Sequence, residues 1–171
     1  VGLAVSFLAF VISLFIYFGF DNQSSDFQFV NKFNWISGLN ISYHVGIDGL
    51  SMLLILLTTF LTPLTLISSW SGIKNKVKEF TFFMLFLELG MLGVFASLDM
   101  FLFYVFWEAM LIPMYFIIGI WGGERRIYAS IKFFIYTMAG SLLMLVAIIW
   151  LVVYSADMLG GFTTNLLDLY K

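Results

Sequence analysis

Three charged side chains lie inside long apolar stretches, where a charge is costly and usually serves a function: Glu88, Glu108 and Lys132. Glu108 is the only charged residue between Phe101 and Trp121, a run long enough to cross a bilayer. A charged side chain at the centre of such a helix costs about 2.5–3.5 kcal/mol on insertion scales. Carboxyl groups and amines are also the side chains that exchange protons within membranes. We therefore predict proton transfer as the chemistry of these three residues.

The neighbours of Glu108 favour a position between helices over one facing lipid. Helical spacing places the acid on one stripe with three larger side chains, which gives the set Tyr104, Glu108, Leu111 and Tyr115. Pro113 follows on the same helix and removes a backbone hydrogen bond next to the acid. We expect this stripe to face another helix, with Glu108 able to take up and release protons.

The three charges differ in expected depth. Depth is counted at the helical rise per residue, from the membrane side whose loops hold most of the lysines and arginines. On this count Lys132 lies about 8 Å deep, Glu88 about 12 Å and Glu108 about 20 Å. Depth alone predicts a direct pair between Glu88 and Lys132, with Glu108 reached through water as part of a proton relay. A structural alternative stays open, in which the pair only fixes helix packing or Lys132 extends to the interface.

The composition defines the class of protein that must position these groups. Of 171 residues, 62% are hydrophobic and 11% are charged, which is typical of an integral membrane protein. The net charge of −2 gives no basic surface for nucleic acid. The absence of cysteine and the single histidine exclude iron–sulfur clusters and a haem held by two histidines. We predict no cofactor or metal site in this chain.

The hydropathy pattern predicts an all-α polytopic bundle that forms one transmembrane domain over residues 1–171. The five expected helices cover about 1–20, 48–70, 80–98, 100–121 and 127–154. Gly90, Gly93 and Ser97 form a small-residue face on the third helix, which favours close packing. Asp99 marks a tight turn, so we expect the third and fourth helices to be antiparallel neighbours.

Residues 21–47 form the one sizeable polar connection. Apolar and polar residues alternate there on both sides of Ser37 and Gly38, which predicts a short hairpin on the membrane face. His44 near its end is interpreted as a hydrogen-bonded anchor rather than a ligand. Asp48 is expected to cap the following helix.

The basic residues predict the topology. Alternate loops hold most of them, namely Lys74, Lys76, Lys78, Arg125 and Arg126, whereas the opposite loops hold only Lys32 and Lys171. By the positive-inside rule, the Lys74 and Arg125 loops face the cytoplasm or the mitochondrial matrix.

Several motifs together resemble a known family. Residues 103–123 read FYVFWEAMLIPMYFIIGIWGG, residues 132–137 read KFFIYT, residues 45–51 read VGIDGLS, and residues 70–72 read WSG. In their order along the chain, these motifs resemble the antiporter-like subunit of respiratory complex I, called chain 4 in mitochondria and subunit M in bacteria. The resemblance implies a larger protein of about fourteen helices in two inverted repeats, of which this chain covers about helices two to six. It also implies a first helix before Val1, and a lysine partner for Glu108 on a broken helix beyond Lys171.

The resemblance implies a function as well. The chain would be a piece of a proton-translocating, non-redox subunit of NADH:quinone oxidoreductase, not catalytic by itself, with Glu108 as the switch and Glu88 and Lys132 feeding or tuning it. Partner subunits would bind NADH, FMN, the iron–sulfur clusters and quinone. The expected partners are other membrane subunits, including sister antiporter-like subunits. The expected location is a bacterial plasma membrane, with the mitochondrial inner membrane as the alternative.

Other functions stay open at this point. The same motifs occur in subunits of multi-subunit cation/proton antiporters and of membrane-bound hydrogenases. A third possibility is a purely structural membrane segment in which the charges only lock the helices together.

Overall fold

The structure is a computed structural model that describes residues 1–21, 23–24, 26–36, 38 and 40–170, apart from the side chains of Asp157 and Leu159. The elements in chain order are α1 (Gly2–Phe18), β1 (Gln28–Ile36), β2 (Ile41–Ile47), α2 (Gly49–Ser68), α3 (Val77–Ala96), α4 (Met100–Trp121), α5 (Arg126–Leu159) and α6 (Leu166–Leu169). By length and composition, α2, α3, α4 and α5 can each cross a membrane. The apolar helix α1, with 17 residues, is shorter. The predicted all-α membrane class is confirmed.

The long helices pack mainly on their neighbours in sequence, so that α4 lies between α3 and α5. This order follows from the short connections. Only three residues connect α3 to α4: Ser97, which is the extended C-cap of α3, Leu98, and Asp99, whose carboxylate caps α4. Much of the apolar surface of the helices points outward, as expected where lipid or further protein surrounds a bundle.

The small-residue face of α3 provides the close contact that its composition predicts. A side chain at Gly93 would overlap the ring of Phe106, and one at Gly90 would overlap Met110, both on α4. These two glycines therefore let the backbone of α3 approach α4 more closely than any larger residue would allow.

The predicted hairpin is also confirmed. β1 and β2 pair antiparallel, with Asn34 opposite Ser42 and Lys32 opposite His44. β2 is the strand held against the bundle, and most of its side chains are buried, whereas most of β1 is exposed. The turn was expected at Ser37 and Gly38, of which Ser37 lies outside the described residues.

The connections collect at two ends of the bundle. At one end, which we call the hairpin end, β2 and the segment 163–166 both contact the α3–α4 turn, through hydrogen bonds from Leu98 N to His44 O and from Leu166 N to Leu98 O. At the other, the basic end, Trp121 Nε1 donates to Asn75 O and joins the two loops that carry most lysines and arginines. The division of the loops expected from the sequence is therefore present in the structure.

Candidate functional site

Glu108 lies on the face of α4 that packs on α5. The hydroxyl of Tyr104, one helical turn earlier, lies beside both the Glu108 carboxyl and Ser141 of α5. Further along the stripe the rings of Tyr115 and Phe134, from α4 and α5, are 5.6 Å apart. The expectation that this stripe faces a neighbouring helix is confirmed.

The Glu108 carboxyl is incompletely satisfied. Its Oε1 atom is buried and accepts no hydrogen bond from any group in the described part of the chain. An unsatisfied buried oxygen costs free energy, so such a group normally has a water, an ion or another segment as its partner. Buried Pro113 follows one and a half turns later, and α4 continues through it without a break.

Glu88 faces the opposite way, toward α2. It is 3% exposed, and the hydroxyl of Thr62 lies beside its carboxyl. Its Oε1 atom, like that of Glu108, has no hydrogen-bond partner among residues with described positions. Thr59, which lies on α2 with Thr62, shares a hydrogen bond of 2.7 Å with Ser13 of α1. Glu88 therefore belongs to a hydroxyl-rich contact between α1, α2 and α3.

Lys132 is exposed near the basic end of α5. Its Nζ atom lies 5.9 Å from the centroid of the Tyr128 ring, and Arg125 Cζ lies at the same distance from that ring. No ion pair joins Lys132 to Glu88 in the part of the chain that the structure describes, so the predicted direct pair is not formed. The reason is the helix order: α4 separates α5 from α3, and Glu88 points to α2.

A second polar cluster lies at the hairpin end. His44 is 4% exposed, and its Nδ1 lies 3.0 Å from Asn165 Oδ1, so the ring nitrogen is the donor. Asn165 Nδ2 in turn donates to Asp168 Oδ2 at 2.7 Å. The interpretation of His44 as a hydrogen-bonded anchor agrees with these contacts.

Reasoning from the sequence did not identify the polar partners of these acids. Neither Thr62 on α2 nor Ser141 on α5 was among the predicted site residues. Each is a hydroxyl residue buried on the side of its helix that faces an acid-bearing helix, with Thr62 5% and Ser141 3% exposed. That position on the helix is the feature by which the sequence could have identified them. Among the described residues, no three side chains of the metal-ligating types come together.

Comparison with known proteins identifies the family. Residues 2–96 match the family described as "NADH-ubiquinone oxidoreductase chain 4, amino terminus", which is more than half of the 171 residues. The chain belongs to this chain 4 family. Residues 97–169, which include Glu108, Lys132 and Ser141, match the family described as "NADH:quinone oxidoreductase/Mrp antiporter, TM".

Relatives of the chain 4 family from bacteria and plants match most of the chain. It is 51% identical over 149 residues to NADH-quinone oxidoreductase subunit M of Rhodobacter capsulatus, which covers 87% of this chain and 28% of the relative. It is 45% identical over 150 residues to NADH-ubiquinone oxidoreductase chain 4 of Arabidopsis thaliana, covering 87% and 30%. The chain thus spans under a third of the length of these relatives.

Solved membrane complexes contain the same fold. Respiratory complex I from Thermus thermophilus holds a chain that matches with a TM-score of 0.82 and 29% identity, covering 98% of this chain and 33% of that one. The Mrp complex from Dietzia matches with a TM-score of 0.76 at 19% identity, covering 95% and 17%. At that identity, the second match shows a shared fold only.

Proposed function

We propose that this chain forms part of a proton-translocating membrane subunit of NADH:quinone oxidoreductase, with Glu108 as its protonatable switch. The observation that supports this role is the Glu108 carboxyl itself, which lies mid-helix between α4 and α5 with Oε1 buried and unpaired in the described structure. Intramembrane acids that face a bundle interior mark proton and ion pathways.

The unpaired oxygen accounts for how the switch would work. A cation brought to Oε1 by another segment, such as the lysine that the family resemblance implies, would favour the ionised carboxylate. Moving that cation away would favour the protonated acid. Because the two groups interact strongly, their protonation belongs to the pair rather than to either residue. Electron transfer in partner subunits would shift this balance and drive release of a proton.

Glu88 and Lys132 enter this proposal separately. Glu88 contacts the Thr62 hydroxyl of α2 rather than Lys132. We therefore assign Glu88 to a proton route along α1 and α2 that feeds the Glu108 switch. Lys132 lies near the basic end and is assigned a tuning role there.

The family supports a proposed location and proposed partners. We infer that the chain lies in an energy-transducing membrane, with the Lys74 and Arg125 loops on the cytoplasmic or matrix side. Sister antiporter-like subunits and other membrane subunits would contact it, and NADH, FMN, iron–sulfur clusters and quinone would be bound by partner subunits. The subunit itself would carry out no redox step.

The test is a Glu108→Gln substitution in the assembled oxidoreductase, studied in inverted membrane vesicles. Glutamine keeps the size and loses the titratable group, so we expect assembly to persist while NADH-driven proton pumping is abolished or strongly reduced. Glu124→Gln, an exposed acid in the loop before α5, is the matched control. Normal proton pumping in the Glu108→Gln vesicles would show that Glu108 is not the protonatable switch.

A cation/proton antiporter of the Mrp type is the second candidate, because the family matched by residues 97–169 includes both classes. Copurification with flavin and iron–sulfur subunits favours the oxidoreductase. Sodium-dependent proton exchange without such subunits favours the antiporter. Copurification with a hydrogenase instead would assign the chain to that third class of complex. If Glu88, Glu108 and Lys132 were all replaced by apolar residues without loss of activity, the acids and the lysine would be structural only.

A further inference from the structure

We propose that the basic end of the bundle carries a binding site for the headgroup of an anionic phospholipid, at the junction of α4 and α5. Arg125 and Lys132 hold its phosphate, and the exposed face of α5 next to them receives an acyl chain. This inference goes beyond the proposed function of Glu108, and its test needs no proton pumping.

The site is a cavity between the last turn of α4 and the first turns of α5. It has a volume of about 690 Å³, with Ile118 and Gly122 on one side and Tyr128, Phe133 and Tyr136 on the other. The charged side chains that line it are Glu124, Arg125, Arg126 and Lys132. All four are exposed, so a ligand can enter from the membrane surface or from the surrounding lipid.

An aromatic ring holds two of the cations together. Arg125 Cζ and Lys132 Nζ each lie 5.9 Å from the centroid of the Tyr128 ring, a distance at which a ring attracts a cation. Arg125 is the N-cap of α5, and Lys132 lies about two turns into that helix. The ring therefore brings a charge from the loop and a charge from the helix to one place in the cavity.

These cations lack a counter-charge within the described chain. No acid among the described residues lies within ion-pair distance of Arg125, Arg126 or Lys132, and Glu124 forms no ion pair with them. Three basic side chains against one acid give the cavity a positive charge, which attracts an anion. A phosphate fits best, because a guanidinium group binds phosphate oxygens through paired hydrogen bonds and an ammonium group adds a compact charge.

The position of the cavity favours a phosphate that belongs to a lipid. It lies where the chain leaves one membrane-spanning helix and enters the next, since α4 ends at Trp121 and α5 begins at Arg126. The sidedness proposed above places this end at the cytoplasmic or matrix leaflet. Basic pockets between transmembrane helices on that side bind anionic headgroups.

The exposed face of α5 continues the cavity into the membrane. Lys132, Tyr136 and Leu143 follow one another at spacings of four and seven residues, so they lie on one face of the helix. The Tyr136 side chain is 81% exposed and that of Leu143 is 73% exposed. From Lys132 to Leu143 the helix rises about 16 Å, which matches one leaflet of a hydrocarbon core about 30 Å thick. A free phosphate leaves this apolar face uncovered, whereas a phospholipid covers both the face and the cavity.

The experiment measures which lipid contacts this face in the assembled complex that contains the chain. The complex is placed in phosphatidylcholine liposomes with a trace of a lipid that carries a photoreactive group on one acyl chain. This lipid is either phosphatidylglycerol, which is anionic, or phosphatidylcholine, which has no net charge. After illumination and digestion with a protease that does not cut at lysine or arginine, mass spectrometry measures the labelling of residues 132–143.

Three pairs of substitutions separate this site from the general charge of the surface. Arg125→Gln with Lys132→Gln removes the two cations beside Tyr128. Arg125→Lys with Lys132→Arg exchanges them and keeps their charge. Lys74→Gln with Lys78→Gln is the matched control, because it removes the same charge from the other basic segment at this end, and neither lysine lines the cavity.

We expect phosphatidylglycerol to label the wild-type segment about tenfold more strongly than phosphatidylcholine does. Each basic residue near the surface should contribute about fivefold to the binding of an anionic lipid, which corresponds to about 1 kcal/mol. The pair of glutamine substitutions at Arg125 and Lys132 should therefore reduce labelling by phosphatidylglycerol to nearly that by phosphatidylcholine. The exchanged pair should keep most of the labelling, and the control pair should keep the wild-type ratio of the two lipids.

Equal labelling by the two lipids in the wild type would overturn the proposal. An equal loss in the control pair would overturn it too, because the effect would then come from the charge of the whole surface. Absence of labelling by either lipid would show that protein covers this face instead. Loss of labelling on addition of inorganic phosphate, but not of chloride at the same ionic strength, would show a site for a free anion rather than for a lipid.

Assembly and proton pumping do not confuse the result. If the pair of glutamine substitutions at Arg125 and Lys132 does not assemble, Lys132→Gln compared with Lys74→Gln decides the question in the same assay. Failure here is also distinct from failure of the proposed function. Normal pumping in Glu108→Gln would remove the protonatable switch and leave the labelling by phosphatidylglycerol unchanged, whereas equal labelling by both lipids would remove only the lipid site.

Discussion

Thr164 Oγ1 donates a hydrogen bond of 2.6 Å to Asp99 Oδ2 and thereby joins the segment after α5 to the α3–α4 turn. The other carboxylate oxygen, Oδ1, accepts from Phe101 N and Leu102 N at 3.0 and 3.2 Å and caps α4. Ser42 N of β2 also donates to Oδ2, at 3.2 Å. One fully buried carboxylate therefore holds together the hairpin, the turn and the end of the chain.

Replacement of Asp99 should destabilise this end of the bundle. Asp99→Ala leaves several buried donors without an acceptor and removes the helix cap, at an expected cost of about 3 kcal/mol or more. Thr164→Val removes only one donor and should cost about 1–2 kcal/mol. The measurement is the thermal inactivation midpoint of the assembled complex, with its amount on native gels. Equal midpoints for wild type and Asp99→Ala would show that the carboxylate does not support the fold.

The contact between His44 and Asn165 gives a second prediction. His44→Leu leaves Asn165 Oδ1 without its side-chain donor and should cost about 1–3 kcal/mol. His44→Asn places an amide donor near the position of Nδ1 and should restore much of this loss. Thermal inactivation of the two variants tests the difference, and a leucine variant as stable as the asparagine variant would contradict it.

Asp48 gives a prediction about pH. Its Oδ1 accepts from Ser51 N at 2.7 Å and caps α2. Burial raises the pKa of the Asp48 carboxyl, but hydrogen bonds from Ser51 and the nearby backbone outweigh burial, so the pKa lies below its ordinary value of 3.8. A carboxyl whose pKa is lower in the folded state stabilises fully above its ordinary pKa, and this stabilisation is lost as the pH falls through the folded pKa.

Asp48→Ala should therefore weaken the start of α2 by about 1 kcal/mol at neutral pH. The expected readout is faster hydrogen exchange in the peptide that contains Ser51, relative to wild type. The difference should hold from neutral pH down to about pH 4.5 and shrink only in stronger acid. A difference that disappears already between pH 7 and pH 5 would point to another titrating group.

The sequence predicted the helices well because a membrane span depends on local properties. Length, hydropathy and the position of Asp48 and Asp99 are enough to define where α2 and α4 begin. The stripe that contains Glu108 was likewise predicted from helical spacing alone. The bounds of α5 were less well predicted, since its helix continues through Ser155 to Leu159 beyond the apolar run.

The partners of the acids could not be predicted in the same way. Depth placed Glu88 and Lys132 at similar levels, but depth does not specify the direction in which a side chain points around its helix. Glu88 points to Thr62 of α2, and α4 lies between it and α5. Contacts such as that of Thr164 with Asp99 depend on the path of the chain after α5, which no local pattern encodes.

The close approach of α3 and α4 gives the last prediction. A methyl group at Gly93 would overlap three carbon atoms of the rigid Phe106 ring on α4. Gly93→Ala should therefore cost about 1–3 kcal/mol through overpacking. Gly90→Ala meets the flexible Met110 side chain and should cost less.

A compensating substitution separates overpacking from other causes. Phe106→Leu alone loses contact area, but combined with Gly93→Ala it makes room for the added methyl group. The double variant should therefore be more stable than the sum of the two single changes predicts. Thermal inactivation of the assembled complex measures all three variants. Additive losses of stability would show that something other than the Phe106 ring limits the size of the residue at position 93. They would also show that α3 and α4 tolerate a wider separation than this contact indicates.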